Sequence, residues 1–129
     1  MAIKGLDHMV IRVKDLDVAI ENYRKMGMDC ERTLETPGIG RQAILRFTNG
    51  TFIELVAPTA PDSPIAKAIE ARGEGFHSMV FKVDDLDETV QVMKDGGATV
   101  IQQPDMDHSA FVHPKSSHGV LLQMQRENL

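Results

Sequence analysis

One segment of nine residues occurs twice in this sequence, and the repeat limits how the chain can fold. Residues 9–17 read MVIRVKDLD, and residues 79–87 read MVFKVDDLD. In each copy an alternating apolar stretch runs into Asp-Leu-Asp and then into a segment with helical spacing, which predicts a strand followed by a helix. A single module would leave one sheet face bare, so we expect the two modules to pair their sheets and share a core.

The segments that follow each copy predict three further strands per module. This gives a single domain in which module one covers residues 1–58, a linker with a short helix covers 59–74, and module two covers 75–129. Asp15 and Asp85 are expected to cap the two main helices. The predicted strands are Leu6–Val13, Cys30–Thr36, Gln42–Phe47, Thr51–Val56, Phe76–Val83, Ala98–Ile101, Ala110–His113 and Val120–Gln125.

The composition excludes several classes of partner and location. The chain has 129 residues and a net charge of -5, and an acidic balance opposes binding to a phosphate backbone, so nucleic acid is not an expected partner. No apolar run approaches the roughly 20 residues that span a bilayer, and the N-terminus lacks the pattern of a secretion signal. With one cysteine, Cys30, no intrachain disulfide can form, and we expect a cytoplasmic protein that does not interact with membranes.

Four polar residues occupy positions that suit a metal site. His8 comes seven residues before Asp15, and His77 comes seven before Asp84, so an imidazole stands at the front of each repeated strand. Glu54 and Gln123 each interrupt an apolar strand, where burial of a polar group is costly unless something binds it. Two imidazoles and two oxygen ligands could hold a divalent metal ion.

The chain resembles the vicinal oxygen chelate superfamily of glyoxalases, bleomycin resistance proteins and dioxygenases, and within it most resembles the methylmalonyl-CoA epimerases. The likeness covers essentially the whole chain and is carried by LDHMVIRVKDLD, NGTFIELVAPT, GFHSMVFKVDDLD and FVHPKSSHGVLLQ. It implies a glyoxalase-like α+β fold, in which two βαβββ modules form a curved eight-stranded mixed sheet around a metal site. Fold transfers between such relatives more safely than reaction does.

The resemblance also implies which residues bind the metal. His8 matches the first ligand, Glu54 the second and Gln123 the fourth, and the ion would be Co, Ni, Zn, Mn or Fe. The third ligand stays open between two neighbours, because aligning the two Asp-Leu-Asp motifs places Ser78 opposite His8, with His77 one residue earlier. A one-residue slip turns a side chain to the other face of a sheet, so either a bulge turns His77 inward or Ser78 lines the pocket.

The two acids expected of an epimerase have no evident counterparts. Gln123 stands where the family usually has a glutamate, and the turn 37–41 contains no carboxylate. Glu54, Glu35 or a histidine would have to move the proton instead, and His108 and His113 are candidates for the histidine. In the related epimerases the segment around His113 borders the substrate opening, which makes Lys115 a candidate contact for an anionic group of the substrate. Arg41 could clamp an anion in the same way.

Two functions follow from these residues. The first is a metal-dependent isomerase or lyase that acts on a small acyl-CoA, keto acid or hydroxy acid through a metal-stabilised enediolate. The second is a metal-free protein that binds or sequesters a small molecule, as drug-resistance relatives do. An extradiol dioxygenase fits less well, since Gln123 stands where that class usually has a terminal glutamate. The resemblance and the chain length further predict a homodimer.

Overall fold

The computed structural model describes residues 3–102 and 108–126. Residues 1–2, 103–107 and 127–129 lie outside the described residues. The strands are β1 Ile3–Arg12, β2 Arg32–Thr36, β3 Gly40–Arg46, β4 Phe52–Ala57, β5 Gly75–Val83, β6 Val100–Ile101, β7 Ser109–Val112 and β8 Leu122–Arg126. The helices are α1 Leu16–Lys25, α2 Pro64–Arg72, α3 Leu86–Asp95 and the 3₁₀ helix Pro114–Ser116.

The eight described strands belong to one mixed sheet in the order β2-β3-β4-β1-β5-β8-β7-β6. The predicted α+β class and the eight-stranded mixed sheet are therefore confirmed, and each predicted strand is present with ends shifted by three residues or fewer. The chain forms two compact units, of which unit one comprises Met1–His8 with Ser78–Leu129 and unit two comprises Met9–His77. The boundaries between them lie inside β1 and β5.

Unit two contains an antiparallel hairpin packed on α1. The turn between β3 and β4 is closed by Phe47, whose N–H donates to Thr51 O at 2.8 Å. Asp15 caps α1 as expected, since its carboxylate accepts from the Val18 N–H at 3.2 Å. Alternate residues of the hairpin pack against the helix because side chains alternate along a strand. The buried residues of this core are Val13, Leu16, Ala19, Ala43, Leu45, Ile53, Leu55 and Ala57.

Unit one repeats this arrangement around α3. Asp85 caps the helix by accepting from the Glu88 N–H at 3.0 Å, so the second predicted cap is also confirmed. Here β5 pairs with β8 in parallel, and β7 pairs with β6 and β8 in antiparallel fashion. The buried residues of this core are Val83, Leu86, Val90, Ala110, Val112 and Met124.

The segment after β7 ends earlier than its apolar pattern predicts. We expected the strand to include His113, but the ring Nδ1 of His113 accepts from the Lys115 N–H at 3.0 Å and thereby caps the 3₁₀ helix. Pro114 follows, and it has no N–H to donate to a sheet. The local cap and the proline together stop β7 at Val112.

At Gly40, the backbone of β3 lies close to the backbone at the end of β4. Gly40 has φ of 141°, and a Cβ atom there would overlap the carbonyl oxygen of Ala57. A side chain at Gly40 would therefore force the hairpin strands apart.

We expect Gly40→Ala to lower the free energy of unfolding by about 3 kcal/mol, because it adds both backbone strain and an atomic overlap. Gly38→Ala is the matched control. Gly38 also has positive φ, at 81°, but a Cβ there meets nothing within 4 Å. The control should lose only about 1 kcal/mol, the cost of the backbone conformation. Urea unfolding of both variants measures the difference, and equal losses would contradict the packing explanation.

Candidate functional site

Three predicted site residues of unit one lie on the sheet face away from α3. Gln123 pairs with Val80, whereas the next residue, Met124, is completely buried in the α3 core. Ser78 shares the side of Val80, because side chains alternate along β5. In β1, Ile3 packs against the α3 core, so the same alternation places His8 on the opposite side. His8, Ser78 and Gln123 thus occupy the face that no helix of this unit covers.

His8 is buried, and its ring is oriented by the preceding residue. Its side chain is 9% exposed, and Nδ1 lies 2.7 Å from Asp7 Oδ2. With Nδ1–H donating to that carboxylate, the lone pair of the ring is on Nε2. Metal-binding histidines commonly donate their other ring N–H to a carboxylate in this way. The chemistry of His8 therefore fits a nitrogen ligand.

His77 lies on the other side of β5 from Ser78. The strand runs without interruption from Gly75 to Val83, so alternation turns His77 away from Ser78. The Nδ1 atom of His77 is buried and has no hydrogen-bond partner among the residues that the structure describes. Burial, with the nearby charges of Arg12 and Arg72, lowers the pKa of His77 to about 4. Two neighbouring cations make this side of the strand unfavourable for a metal ion.

In unit two, Glu54 belongs to the sheet face away from α1. It pairs with Ile44 across the hairpin, and the residues on either side of it, Ile53 and Leu55, are buried in the α1 core. Glu54 itself is half-buried. A carboxylate in such a position is costly unless it meets a cation, a hydrogen-bond donor or a ligand.

Gln42 and Arg12 are buried polar residues that sequence reasoning did not assign to this face. Gln42 pairs with Val56 and so shares the face of Glu54, and it is only 6% exposed. Its Oε1 accepts from the Thr36 hydroxyl at 2.5 Å, which leaves its amide N–H groups as the donors it can offer. Arg12, also 6% exposed, lies on the side of β1 opposite Ile11, which packs on the α1 core.

A sequence signal for Gln42 was available. The Asn49-Gly50 turn fixes the register of the hairpin, and that register places Gln42 on the same face as Glu54. For Arg12 the sequence gives little indication of burial, since an arginine in an alternating strand more often points to solvent.

The remaining predicted site residues are exposed. Arg41 lies on the α1 side, where its Nη2 is 3.5 Å from Asp17 Oδ1. His113 caps the 3₁₀ helix and Lys115 lies within that helix. The roles of Arg41 and Lys115 as contacts for an anionic group, and of His113 in proton transfer, therefore stay predictions.

Across 3–102 and 108–126, no three His, Cys, Asp or Glu side chains form a group that could hold a metal. Within the same ranges, no helix has the length and apolar character needed to cross a membrane.

Comparisons with known proteins agree with the fold. A sequence model of the Glyoxalase/Bleomycin resistance protein/Dioxygenase superfamily matches residues 7–112. The chain is 30% identical to the ethylmalonyl-CoA/methylmalonyl-CoA epimerase of Cereibacter sphaeroides, over 94% of this chain and 96% of that protein. The crystal structure of methylmalonyl-CoA epimerase from Mycobacterium tuberculosis is 32% identical with a TM-score of 0.85, over 99% of this chain and 91% of that one.

A ligand-bound structure is similarly close. A variant of Streptomyces coelicolor methylmalonyl-CoA epimerase in complex with 2-nitronate-propionyl-CoA is 29% identical with a TM-score of 0.82, over 98% of this chain and 99% of that chain. These likenesses confirm the glyoxalase-like fold that the sequence motifs implied.

The lowered pKa of His77 predicts a loss of stability in acid. Its pKa is about 4 in the folded chain against an ordinary value of 6.5, so on acidification the unfolded chain takes up the proton first. The free energy of unfolding should therefore fall between about pH 6.5 and pH 4, by about 2 kcal/mol after allowance for partial exposure.

Urea unfolding at several pH values measures this dependence. His77→Gln should flatten it, whereas His118→Asn, which replaces an exposed histidine by a residue that tolerates its φ of 57°, should leave it unchanged. An unaltered pH dependence in His77→Gln would show that other groups cause the loss.

Proposed function

The chain belongs to the glyoxalase/bleomycin resistance protein/dioxygenase superfamily, and on that premise we propose that it is a metal-dependent isomerase or lyase acting on a small acyl-CoA, keto acid or hydroxy acid. The likeness to proteins named methylmalonyl-CoA epimerase favours an acyl-CoA among these substrates. We propose that the whole chain functions as a single domain.

The observation that carries the proposal is the polar character of the sheet face away from α1. Glu54 and Gln42 share this face with the apolar Ile44 and Val56, and Gln42 is nearly inaccessible. An apolar surface would be the cheaper way to stabilise a sheet, because buried carboxylates and amides need partners. The same polar groups are suited to contact a substrate with a carbonyl and an acidic carbon.

The proposed reaction moves one proton at the carbon next to a carbonyl. A base takes the proton, the electron pair of the C–H bond passes into the enediolate, and a proton returns to the same carbon. We assign the base to Glu54, the carboxylate on this face of the hairpin. Gln42 is suited to donate an amide hydrogen bond to a substrate oxygen, and His113 is the candidate acid.

A divalent metal would stabilise the enediolate by acting as a Lewis acid. We propose His8 as its nitrogen ligand, supported by the Asp7 contact, with Glu54 and Gln123 as oxygen ligands. For the remaining position, the alternation of β5 and the two arginines beside His77 favour Ser78 over His77 as the residue near the ion. One imidazole, one carboxylate and one amide could bind Co, Ni, Zn, Mn or Fe. These ligand types do not show which of the ions is preferred.

A metal-free binding protein is the second candidate. Gln42 and Gln123 are amides, Ser78 is a hydroxyl, and none of these groups can abstract a proton at neutral pH. If these groups only donate and accept hydrogen bonds, the protein would hold a small molecule without changing it. We further propose a homodimer in the cytoplasm, which follows from the resemblance and the composition.

We expect the protein to exchange the acidic hydrogen of an acyl-CoA or keto acid for deuterium in heavy water, which proton NMR measures without assuming the final product. Glu54→Gln should slow the exchange at least about 100-fold, because the amide cannot take the proton. Glu70→Gln, which changes an exposed carboxylate on α2, is the control and should exchange normally. Full exchange by Glu54→Gln would remove this residue as the base.

We expect about one equivalent of a transition metal per chain in protein purified without a tag or chelator, by elemental analysis. His8→Ala should lose most of it, because the variant removes the only strong nitrogen ligand in the proposed set. His118→Asn should retain it as an exposed-histidine control. Wild-type protein that stays metal-free after incubation with these ions would contradict the enzyme proposal and favour the binding protein.

A further inference from the structure

Gln42 is buried on a sheet face that α1 does not cover. It is 6% exposed, and its neighbour across the hairpin, Val56, is completely buried. The residues on either side of Val56, Leu55 and Ala57, belong to the α1 core, so Val56 and Gln42 face the other way. Another part of the chain must therefore cover them.

The second helix of unit two, α2, provides this cover. It contacts β4, and its buried residues, Ile65 and Ala68, lie outside the α1 core. The Arg12 side chain also places the end of α2 on this side of the sheet, because it points away from the α1 core and reaches Gly73 O. Gln42 is thus enclosed between the hairpin and α2, where a substrate oxygen cannot meet its amide unless α2 moves.

The connection that follows α2 has the backbone of a hinge. Gly73 and Gly75 flank Glu74 and have φ of 81° and 144°. A Cβ atom at either glycine would meet nothing within 4 Å, so the backbone conformation, and not a lack of space, is what favours glycine there. Gly73-Glu74-Gly75 can therefore absorb a change in the direction of the chain.

Three hydrogen bonds hold this connection against the end of β1. Arg12 donates from Nε to Gly73 O at 2.8 Å and from Nη1 to Phe76 O at 2.5 Å, so its guanidinium bridges the two ends of the hinge. The Lys14 N–H donates to Glu74 Oε2 at 2.8 Å. Turning α2 about the hinge would break the bond to Gly73 and leave a charged donor without its acceptor, which favours the closed position.

We propose that α2 is a gate over Gln42, which opens about Gly73-Glu74-Gly75 and is held closed by Arg12. Thr36, whose hydroxyl donates to Gln42 Oε1, belongs to β2 and does not move with the gate. Opening therefore exposes the amide N–H groups of Gln42 while its Oε1 stays held. Arg12 acts on this face through α2 and touches no substrate. The gate is a property of the fold, whereas its use to admit a substrate rests on the proposed function.

Amide hydrogen exchange of the full chain, followed by mass spectrometry, tests the latch. Arg12→Met keeps a long side chain but loses both hydrogen bonds, so the amides of α2 should exchange at least about tenfold faster. Amides of the β3–β4 hairpin should keep their exchange rates, because opening of α2 leaves them paired. Lys67→Gln removes an exposed charge of α2 away from the latch, and this control should exchange as the unaltered protein does.

Glu74→Ala weakens the latch in a second way, which keeps the test available if Arg12→Met does not fold. It removes the acceptor of the Lys14 N–H at an exposed position. The amides of α2 should then exchange about twofold to fivefold faster, because one hydrogen bond to the hinge is lost and the two from Arg12 remain.

Thiol labelling tests whether α2 covers Gln42. Gln42→Cys in a Cys30→Ser background places the only thiol of the chain beneath the proposed gate. The rate at which a maleimide labels it measures how often that position opens to solvent. Adding Arg12→Met should speed labelling by the same factor as the exchange in α2. Arg41→Cys, at an exposed position on the other side of β3, should label at one fast rate with or without Arg12→Met.

The outcomes separate a gate from a general loss of stability. Equal acceleration in α2 and at position 42, with an unchanged hairpin, supports the proposal. Faster exchange in the hairpin as well would show that Arg12 stabilises the whole unit, and faster exchange in α2 without faster labelling would show that α2 does not cover Gln42. Either result, or an unchanged exchange rate in α2, overturns the proposal. Neither measurement uses a substrate, so a failure of the proposed function would leave this test unaffected.

Discussion

The alternation of side chains along the β-strands is the constraint on which the rest of this structure depends. In each unit one helix covers one sheet face, and every second residue of the strands below it must be apolar and small enough to pack. The residues between them are thereby turned to the other face. A polar residue at one of those positions does not disturb the core, which is why Glu54, Gln42 and Gln123 can exist in strands that are otherwise apolar.

Most of the fold could be predicted because its signals are local. The two-residue period identified the strands, and Asp15 and Asp85 marked the helix starts, where their carboxylates accept backbone N–H groups in the structure. The Asn49-Gly50 turn located the hairpin. Strand ends were less predictable, since they depend on neighbours. His113 shows this, because its ring caps the following 3₁₀ helix and ends β7 before the apolar pattern does.

The candidate site was less predictable for two physical reasons. First, motif matching identifies which residue types occur, but side-chain direction depends on register. The sequence alone therefore could not decide between His77 and Ser78, whereas the continuous strand β5 turns them to opposite sides. Second, burial depends on distant parts of the chain. Nothing near Arg12 in the sequence indicates that its guanidinium will donate to Gly73 O and Phe76 O, which lie 61 and 64 residues further along the chain. Gln42 lies between these cases, since the hairpin register alone would have revealed its face.

The two copies of the repeated strand are alike on one side and differ on the other. On the side of Val13 and Val83, which are buried in the two cores, one copy has Met9 and Ile11 and the other has Met79 and Phe81, all apolar. The opposite side has exchanged His8 for Ser78 and Arg12 for Lys82, with valine retained between them. Core-packing residues and polar residues therefore occupy interleaved but separate sets of positions. A duplicated strand of this kind can acquire a new ligand preference while its contribution to the core stays intact, so the two copies need not evolve at the same rate or toward the same task.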